Sequence, residues 1–132
     1  MRLVRSLFAL DAAASLVFGL ILLIGAGRLA EAIGVHAAIT LTLGAGFVFH
    51  AAVYAWAAQR QTLSVRVVWA LGLNELLNFG VGVAVVAIEG TGLTPAGSAL
   101  AAAAADIYLV LGLAQLIAAR RAVRDRRALP AA

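Results

Sequence analysis

The sequence predicts an all-α fold, a four-transmembrane-helix bundle in antiparallel up-down order, and three observations carry that prediction. The 132-residue chain is 64% hydrophobic and only 12% charged, a balance that a water-soluble core of this size cannot absorb. Four apolar runs each approach the ~20 residues that a helix needs to cross a hydrocarbon layer about 30 Å thick. All ten basic residues are arginine, and nine of them flank the runs on one side of the resulting topology.

The first run, 3–26, follows Arg2 and Arg5 and is interrupted by Asp11. A positively charged start before an apolar stretch also fits a cleaved signal peptide. The acid inside the run and its length favour a retained span. After the connection 27–36 comes the second run, 37–58, closed by Trp56 and the Arg60 flank. Arg66 and Trp69 open the third, 67–88, where an indole can keep its ring in the acyl region and its N–H among the headgroups.

A Gly-Thr-Gly-Leu-Thr-Pro turn at 90–95 leads to the fourth run, 98–119, whose Gly97, Ala101 and Ala105 form a small-residue face suited to close helix packing. Connections this short make consecutive helices antiparallel neighbours. The tail 120–132 adds five arginines and is expected to lie along anionic lipid as a basic extension.

Short loops rich in arginine stay in the cytoplasm. Arg2, Arg5, Arg60, Arg66, Arg120, Arg121, Arg124, Arg126 and Arg127 fall on one side and Arg28 on the other. Both termini and the central loop are therefore expected to be cytoplasmic. Arginine without lysine and heavy alanine usage suggest a GC-rich bacterial genome, hence the bacterial inner membrane. The net charge of +4 reads as topology determinants beside lipid rather than as a nucleic-acid surface, since no basic face carries interleaved aromatics.

An internal repeat is also legible. Arg5, Ala9, Leu10, Leu16, Phe18 and Gly19 align without gaps on Arg66, Ala70, Leu71, Leu77, Phe79 and Gly80. The bundle would then be two pseudo-repeated helical hairpins related by an axis along the membrane normal.

Ionisable groups inside a span cost about 2.5–3.5 kcal/mol each on insertion scales, so their positions carry information. At about 1.5 Å rise per residue, Asp11, His50 and Glu75, each eight residues from the cytoplasmic end of its span, share one level roughly 12 Å deep. Helical spacing groups Asp11 with Ser15, His50 with Tyr54, Asn74 and Glu75 with Asn78, and Tyr108 with Gln115. Asp106 and Tyr108 lie about 200° apart on their helix, so one of them must face a neighbouring helix or subunit.

From this pattern Asp11, His50, Glu75, Asn78 and Asp106 are the candidates for a solute-binding or proton-relay pocket. Tyr54, Asn74, Tyr108 and Gln115 read as polar residues that join helices by hydrogen bonds. No metal ligand set is assigned, because a di-metal carboxylate bundle needs paired Glu-x-x-His motifs and His50 has no second histidine beside it. The absence of cysteine excludes thiolate chemistry. No nucleophile elbow, phosphate loop or His-Glu-x-x-His occurs, so no cofactor is expected and no residue pattern points to an enzyme, which leaves an embedded enzyme as the third reading.

Several runs resemble a known group: Asp11 to Ala13, Ala32 to Gly34, Leu43 to Gly46, Arg66 through Asn74, and the small-residue start of the fourth helix. Together they are similar to small four-helix bacterial membrane proteins, broadly of the DoxX type. The resemblance implies a four-helix membrane fold over most of the chain and no particular activity. Small multidrug transporters and fluoride channels match in size and span count, but their membrane-embedded signatures are missing. The expectation is an integral membrane protein that binds or translocates a small solute or proton, with an accessory or assembly subunit as the alternative. Its partners would be the lipid bilayer and a second copy or another membrane protein.

Overall fold

The computed structural model describes residues 2–87 and 92–128. Among these residues all regular structure is helical: α1 Arg2–Ile24, α2 Ala26–Ile33, α3 Ala37–Gln59, α4 Val65–Ala87 and α5 Pro95–Ala128. Helices α1, α3, α4 and α5 are long and apolar enough to cross a membrane. Their outward faces are apolar, with Phe49 72% and Leu77 66% exposed, which is the pattern of a surface solvated by lipid. The chain is an integral membrane protein by this criterion.

Three features differ from the sequence expectation, the third being the helix pairing described below. The connection 27–36 contains the short helix α2, which Gly34 ends in the left-handed conformation (φ 86°). The Gly34 and Val35 N–H groups both donate to the Ala30 carbonyl at 2.9 Å, closing the helix end. A side chain at Gly34 would also collide with the Gly92 carbonyl. The second difference is that the fourth helix does not end near 119: α5 runs on through 120–128, so the first part of the basic extension is helical. The expected turn at 90–95 lies partly outside the described residues.

The end away from the arginines is closed by Thr94, whose hydroxyl donates to the Ala32 carbonyl at 2.6 Å and accepts from the Gly97 N–H at 3.0 Å. This caps α5 and ties it to α2. At the arginine end, Arg5 Nε donates to the Ala58 carbonyl at 2.9 Å. Arg60 and Arg120 lie over the Trp56 and Trp69 rings at 4.8 and 5.6 Å. Between these ends, the core cluster of Val4, Phe8, Tyr54, Ala57, Leu63, Val68 and Ala118 fills the arginine half of the bundle.

Packing is uneven in a way that shapes the interior. Helix α1 runs tightly along α3, α4 runs tightly along α5, and a lighter α1–α5 contact joins the two pairs. Glycines permit both tight crossings. A Cβ at Gly19 would sit 2.9 Å from the Gly44 carbonyl oxygen, and one at Gly112 would sit 3.1 Å from that of Gly72. Gly97 meets Ile33 and Gly82 meets Ala105, so the small-residue face of α5 is a packing surface as its sequence implied.

Helices α3 and α4, although consecutive, are not close neighbours along their length as the short loop had suggested. Tyr54 Oη donates to the Leu71 carbonyl at 2.8 Å, joining them near the arginine end. Beyond that point a cavity of ≈ 410 Å³ lies between the two helices.

Candidate functional site

Three helices deliver one titratable side chain each to the same point. Asp11 of α1 and Glu75 of α4 are buried, at 1% and 0% exposure. His50 of α3 presents its Nε2 to both carboxylates, 3.3 Å from Asp11 Oδ1 and 3.3 Å from Glu75 Oε1. One ligand atom from each of the three residues lies within 4.8 Å of the others. The common depth read from helical rise is thus realised as a convergent cluster.

Asp11 is the anchored member. Ser15 Oγ, one turn along the same helix, donates to Oδ1 at 3.2 Å, and Gln115 Nε2 of α5 donates to Oδ2 at 3.2 Å. His50 is held by its own helix, with its ring stacked on Tyr54 at 4.2 Å and 11°. Phe47 stacks on Tyr108 at 6.2 Å, and Tyr108 lies edge-on to His50 at 6.2 Å, forming an aromatic wall on the side away from the arginines.

Glu75 is the unanchored member. A single Nε2–H on His50 can point at one carboxylate only, and the hydrogen bond goes to Asp11. Both Glu75 oxygens are then buried with no hydrogen-bond partner, and the Gln115 carbonyl oxygen is in the same state. An orphaned buried acceptor costs about 1–3 kcal/mol. The close approach of α5 leaves the glutamate little room to turn, since a Cβ at Gly112 would come within 2.9 Å of the Glu75 Cβ.

The remaining candidates sort by facing. Asn78 is half-buried and, with His50, borders both the ≈ 410 Å³ cavity and a second of ≈ 250 Å³ that reaches Tyr108. Asp106 does not join the cluster. It is exposed on the outer face of α5, while Tyr108 turns inward, which resolves the 200° conflict between them. Gln115 was expected only to join helices, yet it is fully buried and bonded to Asp11, inside the cluster. Its spacing of seven residues from the inward-facing Tyr108 was the sequence signal for this.

Tyr54 does join helices, through Leu71. Asn74 lines the large cavity and is exposed. His36, the other histidine, caps α3 by accepting from the Ala38 N–H at 3.3 Å and stands apart from the cluster in the connection between α2 and α3.

Among the described residues, the ion pairs are those that His50 makes with the two carboxylates, and no arginine reaches them. Two carboxylates facing one imidazole in a low-dielectric interior favour a positive guest, either protons or a small cation. No protein-family model, curated protein or solved structure matches the chain. The site therefore has to be understood from its own geometry.

Proposed function

We propose that the chain is a bacterial inner-membrane protein that binds or translocates a small solute or proton at Asp11, His50 and Glu75. In this reading Asn78 lines the approach and both termini are cytoplasmic. The observation that carries it is Glu75, a fully buried carboxylate without a donor, 3.3 Å from an imidazole that borders a cavity. A residue kept only for packing would be better as an amide or a hydrocarbon, because the acid adds insertion cost and accepts no hydrogen bond.

Supporting the antiparallel arrangement, the pairs Arg5–Ala58, Asp11–His50 and Gly19–Gly44 descend along α3 as they climb along α1. The tight α1–α3 and α4–α5 pairs support two hairpins. The aligned glycines differ in role, however: Gly19 sits in a helix crossing and Gly80 faces open space. We also read the chain as DoxX-like in architecture, on the motifs given above.

The test is proton flux into proteoliposomes containing an enclosed pH dye, comparing wild type with Glu75→Gln, Asp11→Asn and His50→Gln. Flux that depends on these residues is expected. Unchanged flux and unchanged ligand binding in all three correctly assembled variants would refute the reading.

One observation favours the alternative of an accessory or assembly subunit. Asp106 is exposed at the middle of the α5 span, where lipid is a poor neighbour for a carboxyl group. A second copy or another membrane protein covering that face would shelter it. Crosslinking from a cysteine placed at Asp106 distinguishes a paired face from a bare one.

A further inference from the structure

We propose that Asp11, His50 and Glu75 are ligands to a divalent first-row transition-metal ion, with Zn²⁺ the best geometric match. This inference rests on the reading of the cluster as a binding site and names its guest.

The distances suit ligation at least as well as hydrogen bonding. A charge-assisted N–H···O bond between imidazole and carboxylate closes to about 2.7–2.9 Å. Both contacts of His50 Nε2 are instead 3.3 Å, and they converge on one nitrogen that has at most one hydrogen to give. Two metal–ligand bonds of about 2.05 Å meeting at a tetrahedral angle place their ligand atoms about 3.3 Å apart. The two His50 contacts therefore match the edges of a tetrahedral site. The third edge, between the carboxylates, lies within the 4.8 Å spread of the cluster.

Charge and donor chemistry agree. A neutral imidazole, two carboxylates and a divalent ion sum to zero, which removes the electrostatic penalty of the buried acids without any arginine. The ion would also engage Glu75, whose oxygens accept no hydrogen bond among the described residues. One nitrogen and two carboxylate oxygens suit Zn²⁺, Mn²⁺ or Fe²⁺ rather than a thiophilic ion, and three protein donors are too few for Ca²⁺.

The surroundings resemble the outer shell of metal sites. Ser15 and Gln115 both donate to Asp11 and fix its orientation, as outer partners of a metal-binding carboxylate do. Three protein ligands leave a fourth position open, the mark of an exchangeable rather than a sealed site. His50 borders the ≈ 410 Å³ cavity between α3 and α4, which gives that position an approach. The sequence hid this site because each ligand comes from a different helix, with no two ligands in one local motif.

The experiment uses the full-length protein, stripped with chelator in detergent and titrated with Zn²⁺ by equilibrium dialysis and with Co²⁺ by visible absorption. One ion per chain is expected. Even an outer partner of a metal ligand is worth roughly 10–100-fold in affinity, so Glu75→Gln, Asp11→Asn and His50→Gln should each weaken binding by more than about 100-fold. His36→Ala should leave it unchanged.

If a variant misfolds, His50→Cys supplies a thiolate ligand and should give the Co²⁺ complex an intense near-ultraviolet charge-transfer band. Binding that survives all three cluster substitutions, or a wild type that retains no ion, overturns the proposal. Should the wild type retain no ion while proton flux still depends on Glu75, the metal assignment falls and the proton-pocket reading stands. Failure of both measurements removes both.

Discussion

Replacing Glu75 by glutamine tests whether the cluster is kept for its guest or for the fold. Glu75 is fully buried, and neither of its oxygens accepts a hydrogen bond among the described residues. Each orphaned acceptor costs about 1–3 kcal/mol. Glutamine has nearly the same shape, removes one of the two acceptors and puts an N–H₂ group in its place beside Asp11 and His50. The substitution should therefore stabilise the ion-free bundle by about 1–3 kcal/mol while abolishing binding.

Stability can be read by titrating the detergent-solubilised, chelator-treated protein with sodium dodecyl sulfate and following tryptophan fluorescence. Trp56 and Trp69 lie at the arginine end, on two different helices, and report separation of the core. A loss of about 1 kcal/mol or more in Glu75→Gln would show that the acid supports the fold, because removing a satisfied buried partner has that sign and size. The orphaned-acceptor reasoning would then be wrong.

Four further outcomes follow from the packing and the charge pattern. Gly112→Ala places a methyl 2.9 Å from the Glu75 Cβ and 3.1 Å from the Gly72 carbonyl oxygen, and should destabilise by about 1–3 kcal/mol and weaken Zn²⁺ binding. Gly80→Ala, with open space at its Cβ, should be neutral or stabilising by up to about 1 kcal/mol in the same titration. Tyr54→Phe removes the 2.8 Å bond to Leu71 and should cost about 1 kcal/mol, with faster hydrogen exchange across the α3–α4 seam. A reporter fused after Arg127 should be cytoplasmic and one inserted near Thr91 periplasmic, on the nine-to-one arginine asymmetry; the reverse labelling would invert the depth assignment.

The helices were legible because crossing a bilayer imposes a length and a composition that need no partner to be seen. The predicted runs 3–26, 37–58 and 67–88 lie within two residues of α1, α3 and α4 at either end. Helix α2 was not read, being a single eight-residue segment between glycines, too short to establish a period. The shared level of Asp11, His50 and Glu75 along the bundle was also legible, since it follows from counting residues along straight helices.

Facing was only partly legible, because spacing relates residues on one helix and says nothing about which neighbour that helix meets. Spacing alone therefore groups Asp106 with the pocket although it faces outward, and Gln115 with the packing residues although it bonds to Asp11. The open α3–α4 seam was hidden for the same reason: a short connection fixes the direction of the return, while close glycine contacts decide which helices pack tightly. The three-helix ligand set depends on all of these at once.

The most direct test of the central claim is X-ray absorption at the zinc edge of the full-length wild-type protein loaded with one equivalent of Zn²⁺, which needs no substitution. The account predicts a shell of nitrogen and oxygen at about 2.0–2.1 Å, with the outer scattering of one imidazole and of carboxylate carbons. A zinc ion surrounded only by water oxygens, or by two imidazoles, would place it outside the Asp11, His50 and Glu75 cluster and contradict the account.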